Sequence, residues 1–203
     1  MSIALDQCSA TDTQLKEILG DVQAGMVRIQ DIVADLRSFA SPGSNDLHER
    51  FDVNELVGRA LRFTANELAD VRLECRIPPE CPTYGSKSQL LQVLTNLLLN
   101  AGAAVRQVAP ERQPTICITA ETADYRTRVG VWDNGTGIPP DLLDKVFDPF
   151  LSTRDVGQGI GLGLSICHAL IQAHGGEIAV RSQQGSWTEV AFELPLQQTE
   201  ARA

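Results

Sequence analysis

The sequence predicts an α+β chain: a two-layer α/β sandwich on a mixed, largely antiparallel sheet, preceded by a long helix of a helical bundle. Three observations carry this. Strand-like and helix-like segments do not alternate strictly, which favours a sandwich over a doubly wound parallel sheet. An apolar seam at heptad spacing in residues 11–40 ends at the break Ser41-Pro42-Gly43-Ser44-Asn45-Asp46. A glycine-rich stretch, Gly157 to Gly163, runs straight into a helical pattern. The chain's 203 residues suit one domain of about 150 residues with an appendage. The expected division is residues 1–45 as helix and linker, 46–197 as the domain, and 198–203 as a disordered tail.

In the first segment Leu15, Leu19, Val22, Met26, Ile29, Val33 and Leu36 recur at alternating steps of four and three, and Ile18, Gly25 and Ile32 widen the seam. Thr11, Asp12 or Thr13 can cap its start. A lone helix is marginal in water, so a seam this wide calls for a partner in a bundle or dimer. A helix lying on its own domain is the alternative. Asp52-Val53-Asn54-Glu55 has the form of a capping box and opens a second helix through about Leu68. Val71 to Ile77 alternates apolar with charged residues, as a half-exposed strand does, and Pro78, Pro79 and Pro82 end it. Ser86 can cap the helix that carries Gln92 to Val105. Thr115–Ala120 and Arg126–Trp132 read as a hairpin. Pro139-Pro140 starts a short helix with Leu142, Leu143 and Val146, and residues 151–161 read as a loop. Leu162 to Ala173 is a helix stopped by Gly175-Gly176. Glu177–Ser182 and Thr188–Leu194 form a last strand pair around Gly185.

Composition narrows the function. Hydrophobic residues make up 43%, enough for a core, and the net charge is −9. That balance excludes a nucleic-acid partner held by a broad basic surface. It leaves room for a phosphate ligand held locally by backbone N–H groups, a metal and a few cations. The five cysteines, Cys8, Cys75, Cys81, Cys117 and Cys167, are odd in number and form no C-x-x-C pair. They read as reduced thiols filling apolar space in a cytoplasmic protein. No apolar run approaches the roughly 20 residues of a membrane span, and residues 1–10 hold Asp6 and no basic cluster. The expectation is a chain without a membrane segment, compatible with a longer, membrane-anchored parent.

Three motifs can carry chemistry. Asn96 and Asn100 lie four apart in Q-V-L-T-N-L-L-L-N-A and share a helix face among Leu94, Leu97, Leu98 and Leu99. An asparagine oxygen can ligate Mg²⁺; a capping or inter-element hydrogen bond is the plainer reading. Asp133 follows a β-type run and precedes Asn134-Gly135-Thr136-Gly137-Ile138. It is either part of a simple Asp-Asn-Gly turn or a carboxylate at a pocket floor, able to accept from an adenine amine while glycines let backbone approach and Ile138 packs on the ring. Gly157, Gly159, Gly161 and Gly163 alternate and lead into Leu164-Ser165-Ile166. A flexible linker would look similar, but helix-start N–H groups after mobile glycines suit a phosphate-binding lid. Arg154 is the nearest cation and Lys145 the next.

In combination these motifs resemble the ATP-binding domain of sensor histidine kinases, within the wider family of gyrase, Hsp90 and MutL. The resemblance covers about residues 85–194 in the order N-box, G1, F-box, G2. It implies ATP and Mg²⁺ as cofactors, with Asn100 on the metal and Asp133, Gly135, Gly137 and Ile138 around adenine. Phe147, Pro149 and Phe150 match the F-box, with Phe150 beside the nucleotide. Gly159, Ile160, Gly161, Leu162, Gly163 and Leu164 match the G2 lid, which with Arg154 embraces the triphosphate. Asn96 stands where the ATPase branches carry a water-activating glutamate. Asparagine cannot act as that base, which favours phosphoryl transfer over hydrolysis. Catalytic roles therefore fall to Asn96, Asn100 and Arg154.

Residues Arg28 to Phe39 look like the second helix of the dimerisation and phosphoacceptor domain. That implies a homodimer through the N-terminal helix and a response-regulator receiver domain as partner. Three departures stand out. The F-box ends Leu151-Ser152-Thr153-Arg154 rather than Phe-Thr-Thr-Lys. The G3-like stretch Gly185-Ser186-Trp187-Thr188 has Trp where glycine is usual, with Thr188 still placed for adenine. No H-E-x-x-N-P context surrounds His48, His168 or His174. The expected acceptor is thus a histidine helix of the parent protein outside this chain. A nucleotide-binding dimerisation module without kinase activity and an ATPase or serine kinase of the same superfold are the alternatives. Asn96 disfavours the ATPase, and G-L-G-L-S the serine kinase.

Overall fold

The structure is a computed structural model and describes residues 25–26, 47–151 and 161–197. The chain divides at Ala40–Ser41 into two units. Of the first, only Gly25 and Met26 are described, both helical. The rest of the heptad seam, the break at 41–46, the lid segment 152–160 and the tail 198–203 lie outside the described residues.

The second unit runs β1 (Glu49–Asp52), α1 (Val53–Phe63), β2 (Arg72–Arg76), β3 (Pro82–Gly85), α2 (Lys87–Arg106), β4 (Thr115–Ala123), β5 (Arg126–Asp133), α3 (Pro140–Leu143), α4 (Gly163–Ala173), β6 (Glu177–Gln183) and β7 (Trp187–Pro195). Five strands form one sheet in the order β2-β4-β5-β7-β6. Only the β2–β4 pair is parallel; the other three pairs are antiparallel. This is the mixed, largely antiparallel sandwich the sequence predicts.

Period-two patterning builds the layers. Thr127, Val129, Val131 and Asp133 on β5, with Ile116 and Ile118 on β4 and Val190, Phe192 and Leu194 on β7, are buried under the helices. The alternate positions form a charged outer face, where Arg128 reaches Glu189 and Glu193 at 3.6 Å. Antiparallel sheets with one wet face show this alternation. Above the inner face, α2 buries Leu90, Val93, Leu94, Leu97 and Leu98 and α4 buries Ile166, Cys167, Leu170 and Ile171.

Three local expectations change. The helix from Val53 ends at Phe63, not near Leu68; Thr64 is its C-cap, outside helical backbone geometry, with its amide and hydroxyl both on the Ala60 carbonyl at 3.0 Å. Leu68 still reaches the core, but from the following turn. The capping box is half formed. Asp52 accepts from Asn54 N at 2.7 Å, whereas Glu55 pairs with Lys87 at 3.3 Å. Finally, Pro82 starts a strand rather than ending one. It opens β3, which pairs with β1 in a separate two-stranded sheet. A proline is tolerated at a strand's first residue, where its missing N–H breaks no ladder.

Candidate nucleotide site

One face of α2 organises the site. Asn96, Asn100 and Ala104 follow at intervals of four and share that face. The Asn96 amide nitrogen is buried and has no hydrogen-bond partner. A buried donor left unmade costs about 1–3 kcal/mol, so a ligand acceptor is the natural complement. A Cβ placed on Gly163 would lie 3.7 Å from Asn100 Nδ2, which sets the start of α4 beside the second asparagine. A Cβ on Gly135 would lie 2.6 Å from the Ala104 carbonyl carbon. The turn after β5 therefore rests on the same face, in contact only a glycine allows.

Asp133 ends β5 at 5% exposure and accepts from Gly135 N at 2.9 Å. Burial pushes its carboxyl up to about 6, against a smaller downward pull from the Gly135 amide. Its register partner on β7 is Thr188. Asn134 turns away, accepting from Thr115 N at 2.9 Å and donating to Gln113 O at 2.8 Å, so it closes the β4–β5 end. Gly137 has φ +64° and no room for a Cβ against Gln183 O. Ile138 N donates to Ser182 Oγ at 2.8 Å. That hydroxyl donates to Trp187 O at 2.7 Å and lies 3.0 Å from Thr188 Oγ1. Ser182 thus ties the Asp133 turn to the β6–β7 hairpin.

At the other end, α4 begins without a side-chain cap. Leu162 holds the N-cap position, and Ser165 Oγ returns to Leu162 O at 2.8 Å. The Leu162 side chain is buried in the core, leaving only its backbone for a ligand, and Leu164 packs partly on that core. Gly161 has φ +73° and lies tight against Leu151 O. Phe150 N donates to Gly161 O at 3.0 Å, while its ring is 69% exposed. Phe147 stacks on His168 with centroids 5.1 Å apart. Arg154, Gly159 and Ile160 lie outside the described residues. An uncapped helix start, an unpartnered buried amide and a buried carboxylate suit a nucleotide with a hard cation: N–H groups for phosphate, amide oxygen for metal.

A profile of the histidine kinase-, DNA gyrase B-, and HSP90-like ATPase family matches residues 85–198, more than half of the chain. The chain belongs to this family. Among its relatives are a putative sensor protein of Shewanella frigidimarina, 34% identical over 91% of this chain and 28% of its own length, and the sensor histidine kinase ZraS of Escherichia coli, 30% identical over 83% of this chain and 35% of its own. The chain thus spans about a third of these relatives. Among solved structures, the catalytic domain of histidine kinase ThkA is 30% identical with TM-score 0.64, over 74% of this chain and 96% of that one. ThkA in complex with the response regulator TrrA matches 92% of this chain and 53% of its own, at 26% identity and TM-score 0.72. Residues 85–198 therefore form a catalytic, ATP-binding domain of the histidine-kinase type.

Two further residues bind this family domain together. Ser182 and Arg112 link segments far apart in sequence, and no local motif marks either. For Ser182 the signal is register, because it pairs with Thr188 across β6–β7. Arg112 sits in the irregular connection between α2 and β4, where no pattern points to a partner.

Proposed function

We propose that this domain binds Mg·ATP and passes the γ-phosphoryl group to a histidine outside this chain, as the catalytic part of a sensor histidine kinase. The buried, unpartnered amide of Asn96 carries the reading. An amide can donate to a phosphate oxygen but cannot take a proton from water, as a glutamate there would.

Catalysis here is positioning and charge stabilisation. The Asp133 carboxylate accepts from the adenine amine, Ile138 packs on the ring and Thr188 closes the facing wall. Backbone N–H groups from Gly161 through Ser165 meet phosphate oxygens at the α4 start. Asn96 donates to phosphate, and Asn100 offers its amide oxygen to Mg²⁺. When bound, Mg²⁺ neutralises charge on the phosphate oxygens. Arg154, with the glycines at 157–163, is assigned to the terminal phosphate.

The histidines support an acceptor elsewhere. The chain has three, and all lie in described residues. His174 is buried, with Nδ1 on Leu170 O at 2.7 Å and Nε2 accepting from Ser86 N at 3.0 Å. His48 stacks on His174 with centroids 4.7 Å apart, and His168 is held by Gln172 and Phe147. The likeness to ThkA bound to a response regulator supports relay to a receiver domain. Dimerisation is assigned to the N-terminal helix. Among the described residues no helix is long and apolar enough to cross a membrane, and the assigned compartment is the cytoplasm.

Incubation with γ-labelled ATP, with and without a phosphoacceptor-histidine helix, tests this. The expected result is no self-labelling and acid-labile label on the added helix. Strong acid-stable self-labelling contradicts the reading. Bound ATP with no label on the helix favours a nucleotide-gated dimerisation module, the reading the occupied histidines also allow.

A further inference from the structure

Arg112 lies outside the motifs, and its side chain makes three hydrogen bonds. Its Nη1 donates to Asn134 O at 3.3 Å and to Ser186 O at 3.0 Å, and its Nη2 donates to Gly185 O at 2.7 Å. The three carbonyls belong to two segments distant in sequence: the turn that begins at Asp133, and the turn that joins β6 to β7 just before Thr188. Asp133 and Thr188 are register partners, so these turns lie side by side at one end of the sheet, and on the proposed nucleotide reading they are two walls of one pocket. Arg112 belongs to neither, since it lies between α2 and β4. Among the described residues it forms no ion pair with a carboxylate; its contacts are carbonyls. A guanidinium presents several donors in a fixed plane, a geometry that a single ammonium does not reproduce.

The same turns meet directly as well. Gly185 N donates to Thr136 O at 2.6 Å, and Ile138 N reaches Ser182 Oγ at 2.8 Å. Gly137 sits against Gln183 with no space for a side chain. The β6–β7 turn is thus docked on the Asp133 turn, with Arg112 bracing the junction from outside. Trp187 follows this turn as the first residue of β7, directly before Thr188.

We propose that Arg112 is a positioning residue for base selectivity: a guanidinium clamp that fixes the Asp133 turn against the Thr188 wall, so that the pocket accepts adenine and rejects guanine. The proposal rests on the reading that Asp133 takes the base. A carboxylate held in one place accepts from an amine at the base's six-position and repels a carbonyl oxygen there. Discrimination by a polar site needs its groups held where they cannot re-pair with the wrong partner. Releasing the clamp lets the walls move apart, so the adenine contact weakens and the advantage of adenine over guanine falls.

Full-length Arg112→Ala is compared with wild type in two measurements. The first is hydrogen exchange at the Gly185 amide without nucleotide, expected to quicken about tenfold. The second is the affinity ratio for ATP over GTP, read by calorimetry with Mg²⁺, expected to fall about tenfold, mainly through loss of ATP affinity. Arg112→Lys keeps the charge without the fork and is expected to restore less than half of that loss on a logarithmic scale. An unchanged ATP-to-GTP ratio in Arg112→Ala overturns the proposal, even if Gly185 exchange quickens, because the clamp is then structural only. Full recovery by lysine overturns it too, since charge alone would then suffice. If Arg112→Ala does not fold, Arg112→Gln replaces it under the same criteria. Asp133→Asn separates the two levels. If it leaves the ratio unchanged while Arg112→Ala still quickens Gly185 exchange, the base reading has failed and the brace between the turns has not.

Discussion

On the proposed reading, Asp133 joins nucleotide recognition to pH. Burial raises its carboxyl to about 6 in the nucleotide-free domain, and the ionised form is much the stronger acceptor for a base amine. Adenosine, whose base stays neutral across the range, is therefore expected to bind about tenfold more weakly at pH 5 than at pH 7. Asp133→Asn flattens that dependence, and calorimetry at the two pH values checks it. The stability sign follows from the same shift. A carboxyl raised from 3.8 to about 6 when folded favours the folded state below 3.8, and that contribution is lost as pH rises through about 6. At this scale the motif residues were legible because glycines and a carboxylate in one short run state their own geometry. Gly135 and Gly137 stand where backbone closes on Ala104 and Gln183. Ser182 and Arg112 were not legible, because their partners lie across the fold.

The two helices that frame the site are joined at their far end by His174. It closes α4 through Leu170 O and accepts the Ser86 amide at the α2 N-cap. That amide needs a neutral acceptor, so the ring carries its proton on Nδ1. Burial lowers the His174 pKa; the hydrogen bond to Leu170 pulls the other way, and His48 adds to the lowering. Tyr84 abuts His48 edge-on at 5.8 Å, and Gly85 sits against the His174 ring. A depressed histidine contributes stability that is full above its ordinary value of 6.5 and lost as pH falls through the lower folded value. Thermal unfolding between pH 7 and pH 5 is expected to show a falling midpoint, less steep in His174→Gln than in wild type. Asp133 works in the opposite direction over this window, so Asp133→Asn steepens the fall. Equal slopes in wild type and His174→Gln contradict the account. Among the elements, α2 and α4 were legible from leucine spacing and the glycines that follow. The β1–β3 pair was not: two four-residue strands carry little pattern, and Pro82 reads as a stop until its place at a strand start is known.

The molecule as a whole joins a first unit, of which only the helical Gly25 and Met26 are described, to a family domain of the histidine-kinase, ATP-binding type. Fold class was readable because alternation in β4, β5 and β7 survives the charged outer face, where Arg128 and Glu189 declare solvent. Family membership followed from motif order over a span that the profile then matched at residues 85–198. The proposal puts the acceptor elsewhere because His48, His168 and His174 are each engaged within the domain. The central claim is a Mg·ATP site built on the α2 asparagine face and the Asp133 turn. Calorimetric titration of the full chain with Mg·ATP, beside Asn100→Ala and Asp133→Ala, tests it most directly. The account predicts saturable binding to wild type and at least about a hundredfold weaker binding in each variant; wild-type affinity in both variants would contradict it.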